Sequence, residues 1–351
     1  MKLFTASLAA LLAPVFMVHA KPTHQFDHFF PGWNERVQTI LRENCSAPYA
    51  EYLTGEVPEG VGAQGIVNPL IDCILEVFPE SRKAELATGA LVLGLIPTIL
   101  QTIGSSTVET ALVGLRRPLL GFLISAGSPA VSMTKTSDFA RSVREFVDGS
   151  EPREMGIDAL RWSRGRGKWA VLIALLEYVV VGGAVANVLH LAWELGIYAV
   201  AIFAPDTIFG VPLWTLGASL IHLTGCLALW ASGHMVPTQL IPAVFQPSMT
   251  LELRQDKGST FWFYVLSWII SIGILAQVAF GTLVLSGLLF FSLADCLIIV
   301  GRYTLSAVVC RAVVRLELSG MMAAMVPVKG NDMVEPEQVV LTGWKRQPSE
   351  M

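Results

Sequence analysis

Residues 259–294 read STFWFYVLSWIISIGILAQVAFGTLVLSGLLFFSLA, thirty-six positions without a single Asp, Glu, Lys or Arg. As one α-helix this run would extend about 54 Å at 1.5 Å per residue, whereas a bilayer's hydrocarbon core is about 30 Å thick and takes about 20 residues to cross. The run is therefore read as a hairpin of two spans, 260–277 and 280–301, because lipid admits helices and closed barrels as spanning structures and little else. Composition points the same way: 53% of the chain is hydrophobic, 15% is charged and the mean hydropathy is +0.57, against about 25% charged in an ordinary soluble domain. A net charge of -4 and a pI near 5.9 provide no basic surface for nucleic acid.

Upstream, residues 169–204 are mostly apolar, interrupted by Glu177 and Glu194. A span to Leu191 followed by a lumenal or interfacial segment is expected, with a second short span over 192–204 as the competing reading. Residues 212–231 form another span, with Trp214 and Trp230 at its ends like an interfacial aromatic belt. The first span is read at 87–104, kinked by Pro97, which membrane helices tolerate when neighbours satisfy the freed carbonyl. The apolar piece 118–131 after Arg116 and Arg117 is too short to cross and is read as re-entrant or interfacial. The predicted fold is thus all-α, a polytopic bundle of about five spans, with up to seven on the alternative readings, in the blocks 85–131 and 169–301.

The N-terminus carries its own signals. Lys2, the apolar stretch from Leu3 to Val18 and Val18-His19-Ala20 read as a secretory signal peptide over 1–20, with an uncleaved anchor disfavoured by Pro14. Residues 21–84 then lie in the lumen or outside the cell, where disulfides persist, so Cys45 and Cys73 are expected to be bonded and to staple a marginal core. Cys226, Cys296 and Cys310 fall in or beside apolar runs and read as buried hydrophobes. Asn44-Cys45-Ser46 fits a glycosylation acceptor. Two short helices are expected here, one over 34–44 and one entered through Asn68-Pro69. The G-x-G-x-x-G at 60–65 lacks a preceding strand and reads as a loop. His24 and His28 are four apart but lack a third ligand, so no metal site is read there.

Residues 132–168 hold eight Lys or Arg and six acids, with a surface helix expected over 137–148. Arg161, Arg164, Arg166 and Lys168 read as an anchor on anionic lipid beside a span. The block 302–351, with Arg302, Arg311 and Arg315, reads as a polar tail. With a lumenal start, the Lys/Arg-bearing loops 105–168 and 232–259 and this tail all fall in the cytosol, while 192–211 has neither residue and falls outside, as the positive-inside rule requires. Arg82 and Lys83 are the exceptions. Localisation is therefore read as the plasma membrane or secretory pathway.

Chemistry is sparser. Ionisable groups within spans are functional suspects by default, and these are Glu177, His190, Glu194, His222 and Asp295, with the neutral Asn187 and Gln277. At 100° per residue Asn187, His190 and Glu194 share an arc of about 60°, and Glu177 lies off it. One reading joins His190 and Glu194 to His222 or Asp295 as a proton relay, ion site or acid/base pair. The other leaves His190 and Glu194 at the outer interface and lets His222 and Asp295 bond neighbouring backbone. H-E-x-x-H, C-x-x-C, Walker, D-D-x-x-D and G-x-S-x-G patterns are absent from the sequence, so no catalytic residue and no cofactor is assigned.

The pair Cys45 and Cys73, the stretch Leu93-Gly94-Leu95-Ile96-Pro97-Thr98-Ile99-Leu100 leading to Gly104-Ser105-Ser106-Thr107-Val108-Glu109-Thr110, and Arg116-Arg117-Pro118-Leu119-Leu120 ending in Ala126-Gly127-Ser128-Pro129-Ala130 resemble a group of fungal multi-pass integral membrane proteins. The resemblance covers roughly 40–300 and implies a membrane protein of filamentous fungi without supplying an active site. Three function classes follow. The favoured one is a non-catalytic sensor, scaffold or accessory subunit. Behind it stand a small-molecule or ion transporter and a membrane enzyme of specialised metabolism.

Overall fold

The computed structural model describes residues 25–54, 64–132, 167–203, 208–232 and 261–325. The predicted signal sequence, most of the glycine loop, His24, the surface helix at 137–148, Arg161, Arg164, Arg166 and the tail beyond 325 lie outside the described residues, as does the Lys168 side chain. In chain order the elements are α1 Pro31–Glu43, α2 Ser46–Thr54, α3 Gln64–Val77, α4 Glu80–Gly94, α5 Ile96–Ile103, α6 Thr107–Arg116, α7 Pro118–Gly127, α8 Gly167–Tyr198, β1 Val200–Ala201, α9 Gly210–Ser232, α10 Phe261–Ser286, β2 Leu288–Leu289 and α11 Leu293–Met325. Five stretches are long and apolar enough to cross a membrane: Glu80–Ile103, Val171–Tyr198, Gly210–Ala231, Phe261–Ser286 and Leu293–Ser319. By length and composition these are the helices of an integral membrane protein, packed as a helical bundle.

Helices α1 to α3 cover one end of the bundle. Val37, Ile40 and Leu41 of α1 meet Ile66, Val67, Leu70, Ile71 and Ile74 of α3 in one buried cluster. The disulfide joins Cys45, between α1 and α2, to Cys73 in α3, with Cα atoms 6.0 Å apart. Contrary to the expected start at Asn68-Pro69, α3 begins at Gln64 and carries Pro69 inside it. Burying Ile66 and Val67 on the same stripe outweighs the one backbone bond that proline removes.

Most span ends differ from the sequence reading, and each difference has a cause. The 259–294 run does bend, but at 287–292 and not after Gln277. The Gln277 amide donates to Trp214 O at 2.6 Å, so α10 continues through it. The bend is set instead by β1 pairing antiparallel with β2, Val200 opposite Leu289 and Ala201 opposite Leu288. Phe290 there takes φ 64°, a left-handed conformation costly for a bulky residue. That turn plants its ring in the α1–α3 cluster, 5.6 Å from Phe29. Similarly, α8 does not stop at Leu191; it runs unbroken to Tyr198, the Glu194 carboxylate being paired across the bundle. Helix α11 continues past Gly301, so Arg302, Arg311 and Arg315 belong to a spanning helix and not to a tail. Trp214 is 1% exposed and packs edge-on against Tyr303 at 5.6 Å, so of the predicted belt only Trp230 faces outward.

Between the first and second spans, α6 and α7 fold back on each other. Ser106 caps α6 in a reciprocal box with Glu109, and the chain leaves beside its entry, Ser132 N donating to Ser105 O at 3.3 Å. Gly114 and Gly121 let the two helices touch: a Cβ on Gly121 would stand 2.4 Å from Gly114 Cα. The corner of this hairpin is Arg116-Arg117-Pro118.

Candidate functional site

The polar side chains of the spans gather at separate levels. Toward the covered end, Asn187, His190 and Glu194 do share one face of α8, as their spacing of three and four predicts. Their partners come from α11. Arg302 Nη1 donates to Glu194 Oε2 at 2.6 Å and Arg302 Nε to Asn187 Oδ1 at 2.9 Å. The Asn187 amide returns hydrogen bonds to Arg302 O at 3.1 Å and Ser306 Oγ at 2.8 Å. Arg302 Nη2 lies 3.2 Å from His190 Nδ1, and the same ring nitrogen lies 3.2 Å from Glu194 Oε2. Side-chain exposure is 57% at His190, 29% at Arg302 and 23% at Glu194, so the cluster sits at the side of the bundle.

The other candidates stand apart from this face. His222 on α9 is buried, and its Nε2 lies 3.0 Å from Ala130 O; a carbonyl only accepts, so Nε2 carries the proton. Asp295 sits in the first turn of α11. Ser292 Oγ accepts from Asp295 N at 3.1 Å while the Asp295 carboxylate accepts from Ser292 N at 3.3 Å and Ser292 Oγ at 2.7 Å, a reciprocal helix cap. The same carboxylate takes a hydrogen bond from Gly32 N at 3.1 Å, which ties α1 to the bundle.

Glu177 belongs to a third group at the opposite end. Arg117 Nη1 donates to Glu177 Oε2 at 2.5 Å and also to Glu317 Oε1. All three side chains are at most 3% exposed, and the Arg117 guanidinium lies 5.1 Å from the Tyr178 ring centroid. The arginine comes from the α6–α7 corner, one glutamate from α8 and the other from α11, so three separate segments meet on one nitrogen. Arg116 is buried beside them, and that burial lowers its pKa against the opposing pull of Glu317.

Sequence reasoning missed Arg302, Arg117 and Glu317 because each was assigned to a loop or a tail. The available signal was a charge flanked on both sides by apolar residues, which lipid tolerates when the charge is paired. Among the described residues no three His, Cys, Asp or Glu side chains gather as a metal site. Comparison with protein-family models, curated proteins and solved structures finds no match to this chain.

Proposed function

We propose that this chain is a non-catalytic multi-pass membrane protein, acting as a sensor, scaffold or accessory subunit. The observation that carries the reading is the dispersal of the polar groups over four separate sites, His190 with Glu194, then His222, Asp295 and Glu177, where each is engaged by a structural partner: an arginine, a backbone carbonyl or a helix end. A relay or an acid/base pair needs its groups within hydrogen-bond reach of one another and of a substrate. His190 Nδ1 and Glu194 Oε2 do meet at 3.2 Å, but Arg302 engages both, and His222 and Asp295 stand apart from them. The tie between Asp295 and Gly32 supports a covering segment held in fixed register on the bundle, as a docking platform requires.

In the same reading, 1–20 is a cleaved signal peptide, the covering segment is lumenal or extracellular with Asn44 glycosylated, and the C-terminus is cytosolic. Asn44 is exposed, which glycosylation requires. Arg161, Arg164, Arg166 and Lys168 contact anionic headgroups, and the source is a filamentous fungus. The test is untargeted metabolite profiling of cells and medium from a deletion strain beside its parent. An unchanged profile is expected. A compound retained inside and depleted outside would replace this reading with export, and a precursor accumulating in the whole culture would replace it with an enzyme.

A further inference from the structure

Two carboxylates hydrogen-bonded to one guanidinium nitrogen leave their near oxygens no more than about 5 Å apart, a range in which like charges oppose each other's ionisation. Glu177 Oε2 and Glu317 Oε1 are those oxygens. Both side chains are almost wholly out of contact with solvent, so neither charge is screened by water. Their other oxygens, Glu177 Oε1 and Glu317 Oε2, meet no hydrogen-bond donor among the described residues. One guanidinium nitrogen thus holds two acids, while the second buried arginine, Arg116, forms no ion pair with either of them among the described residues, and burying a charge that is not directly paired is costly.

We propose that Glu177 and Glu317 form a proton-binding site, the pair sharing one proton while Arg117 neutralises the remaining charge. The proton comes from water and returns to it as hydronium, and no other bond is made or broken. Among the described residues the charged and titratable groups around the pair are few. The α6–α7 corner contributes Arg117 and Arg116. The glutamates' own helices contribute Tyr178, whose ring lies beside the guanidinium, Cys310, and Arg315, which is exposed. From α9 come Cys226, next to Gly114, and His222, bonded to Ala130 O, and from α10 only Tyr264, which is exposed. Arg116 is the group able to take the proton's place, since a second cation on Glu317 would let both acids ionise.

The experiment is infrared difference spectroscopy of the full chain in lipid nanodiscs, titrated from about pH 5 to about pH 9, on wild type, Glu177→Gln and Glu317→Gln. Wild type is expected to give the C=O stretch of a buried protonated carboxyl group that is lost as pH rises. Each single variant is expected to lack that band, because a neutral amide fills the place of the protonated acid. Thermal unfolding of the same samples reports on the fold. A folded chain that holds a proton its unfolded form releases loses stability as pH rises, so wild type should show that slope and both variants should be flatter. Absence of the band at every pH would overturn the proposal and leave Arg116 as the second counter-charge. A band that survives both substitutions would also overturn it, since its source would then be another acid.

Discussion

Replacing Gly32 by Ala tests whether the α1–α3 segment is fastened to the bundle through Asp295. A Cβ on Gly32 would stand 2.2 Å from Ser292 Oγ, 2.5 Å from Asp295 Oδ2 and 2.6 Å from Ser292 Cβ. Ser292 and Asp295 cannot swing clear, because each holds the other in the cap of α11. The added methyl must therefore push α1 outward and break the bond from Gly32 N to the carboxylate. A hydrogen bond to a charged group contributes about 1.5 to 3 kcal/mol, and overpacking of this kind costs about 1 to 3 kcal/mol. Taking the lower part of each range, docking weakens by about 3 kcal/mol, roughly 100-fold in the opening equilibrium. The assay is amide hydrogen exchange of α1 and α3 in the full chain. Gly301→Ala is the control, on the same helix as Asp295 but with nothing within 4 Å of its Cβ; it should be neutral or stabilise α11 by about 0.5 to 1 kcal/mol. If Gly32→Ala exchanges at the wild-type rate, the clamp does not exist as described.

Three further outcomes are expected. Breaking the disulfide by Cys45→Ser and Cys73→Ser, which frees a loop with a sequence separation of 28, should cost about 3.5 kcal/mol in the chain-entropy model; equal thermal stability with and without reductant would refute it. Gly121→Ala places a methyl against the Gly114 backbone at 2.4 Å and should destabilise by about 1 to 3 kcal/mol as the α6–α7 hairpin is forced apart, whereas an unchanged melting temperature would mean that the hairpin gives way freely. Arg302→Ala should cost about 1 to 3 kcal/mol by leaving Glu194 partly buried without its donor. Glu194→Gln should recover part of that loss in the double variant, and strict additivity of the two substitutions would count against the pair.

Hydrophobicity alone made the five spans legible, because each apolar run is too long to be anything else in lipid. Their ends were not legible, since an end is set by what lies across the bundle. Gln277 looked like a break, yet its amide is satisfied by Trp214 O. Glu194 looked like an exit from the membrane, yet Arg302, 108 residues away, neutralises it. The true bend at Phe290 depends on a strand pair between two distant connections and on a ring reaching into the covering segment. The same asymmetry governs the polar groups. The shared face of Asn187, His190 and Glu194 follows from helical period and was readable. Arg117 was not, because its meaning depends on Glu177 and Glu317, which come from helices 60 and 200 residues away.

Helix α11 carries all three attachments: Asp295 at the covered end, Arg302 partway along and Glu317 toward the other end. Twenty-two residues separate the first from the last, about 33 Å of helix. A rigid rod of that length would transmit movement from the docking clamp to the acid pair, provided that the rod has two positions to occupy. The structure argues that it has one. Between its ends, α11 is held to α8 by Arg302, and to the end of the first span by Arg311 Nη1 donating to Ile103 O at 2.7 Å. Undocking α1 therefore opens the covering segment locally and leaves the inner half of α11 where it was. The infrared pH transition of the acid pair should accordingly be the same in Gly32→Ala as in wild type. By reciprocity, a shifted transition would mean that proton release also changes docking, and the two intermediate anchors would then have to slide with the helix instead of fixing it.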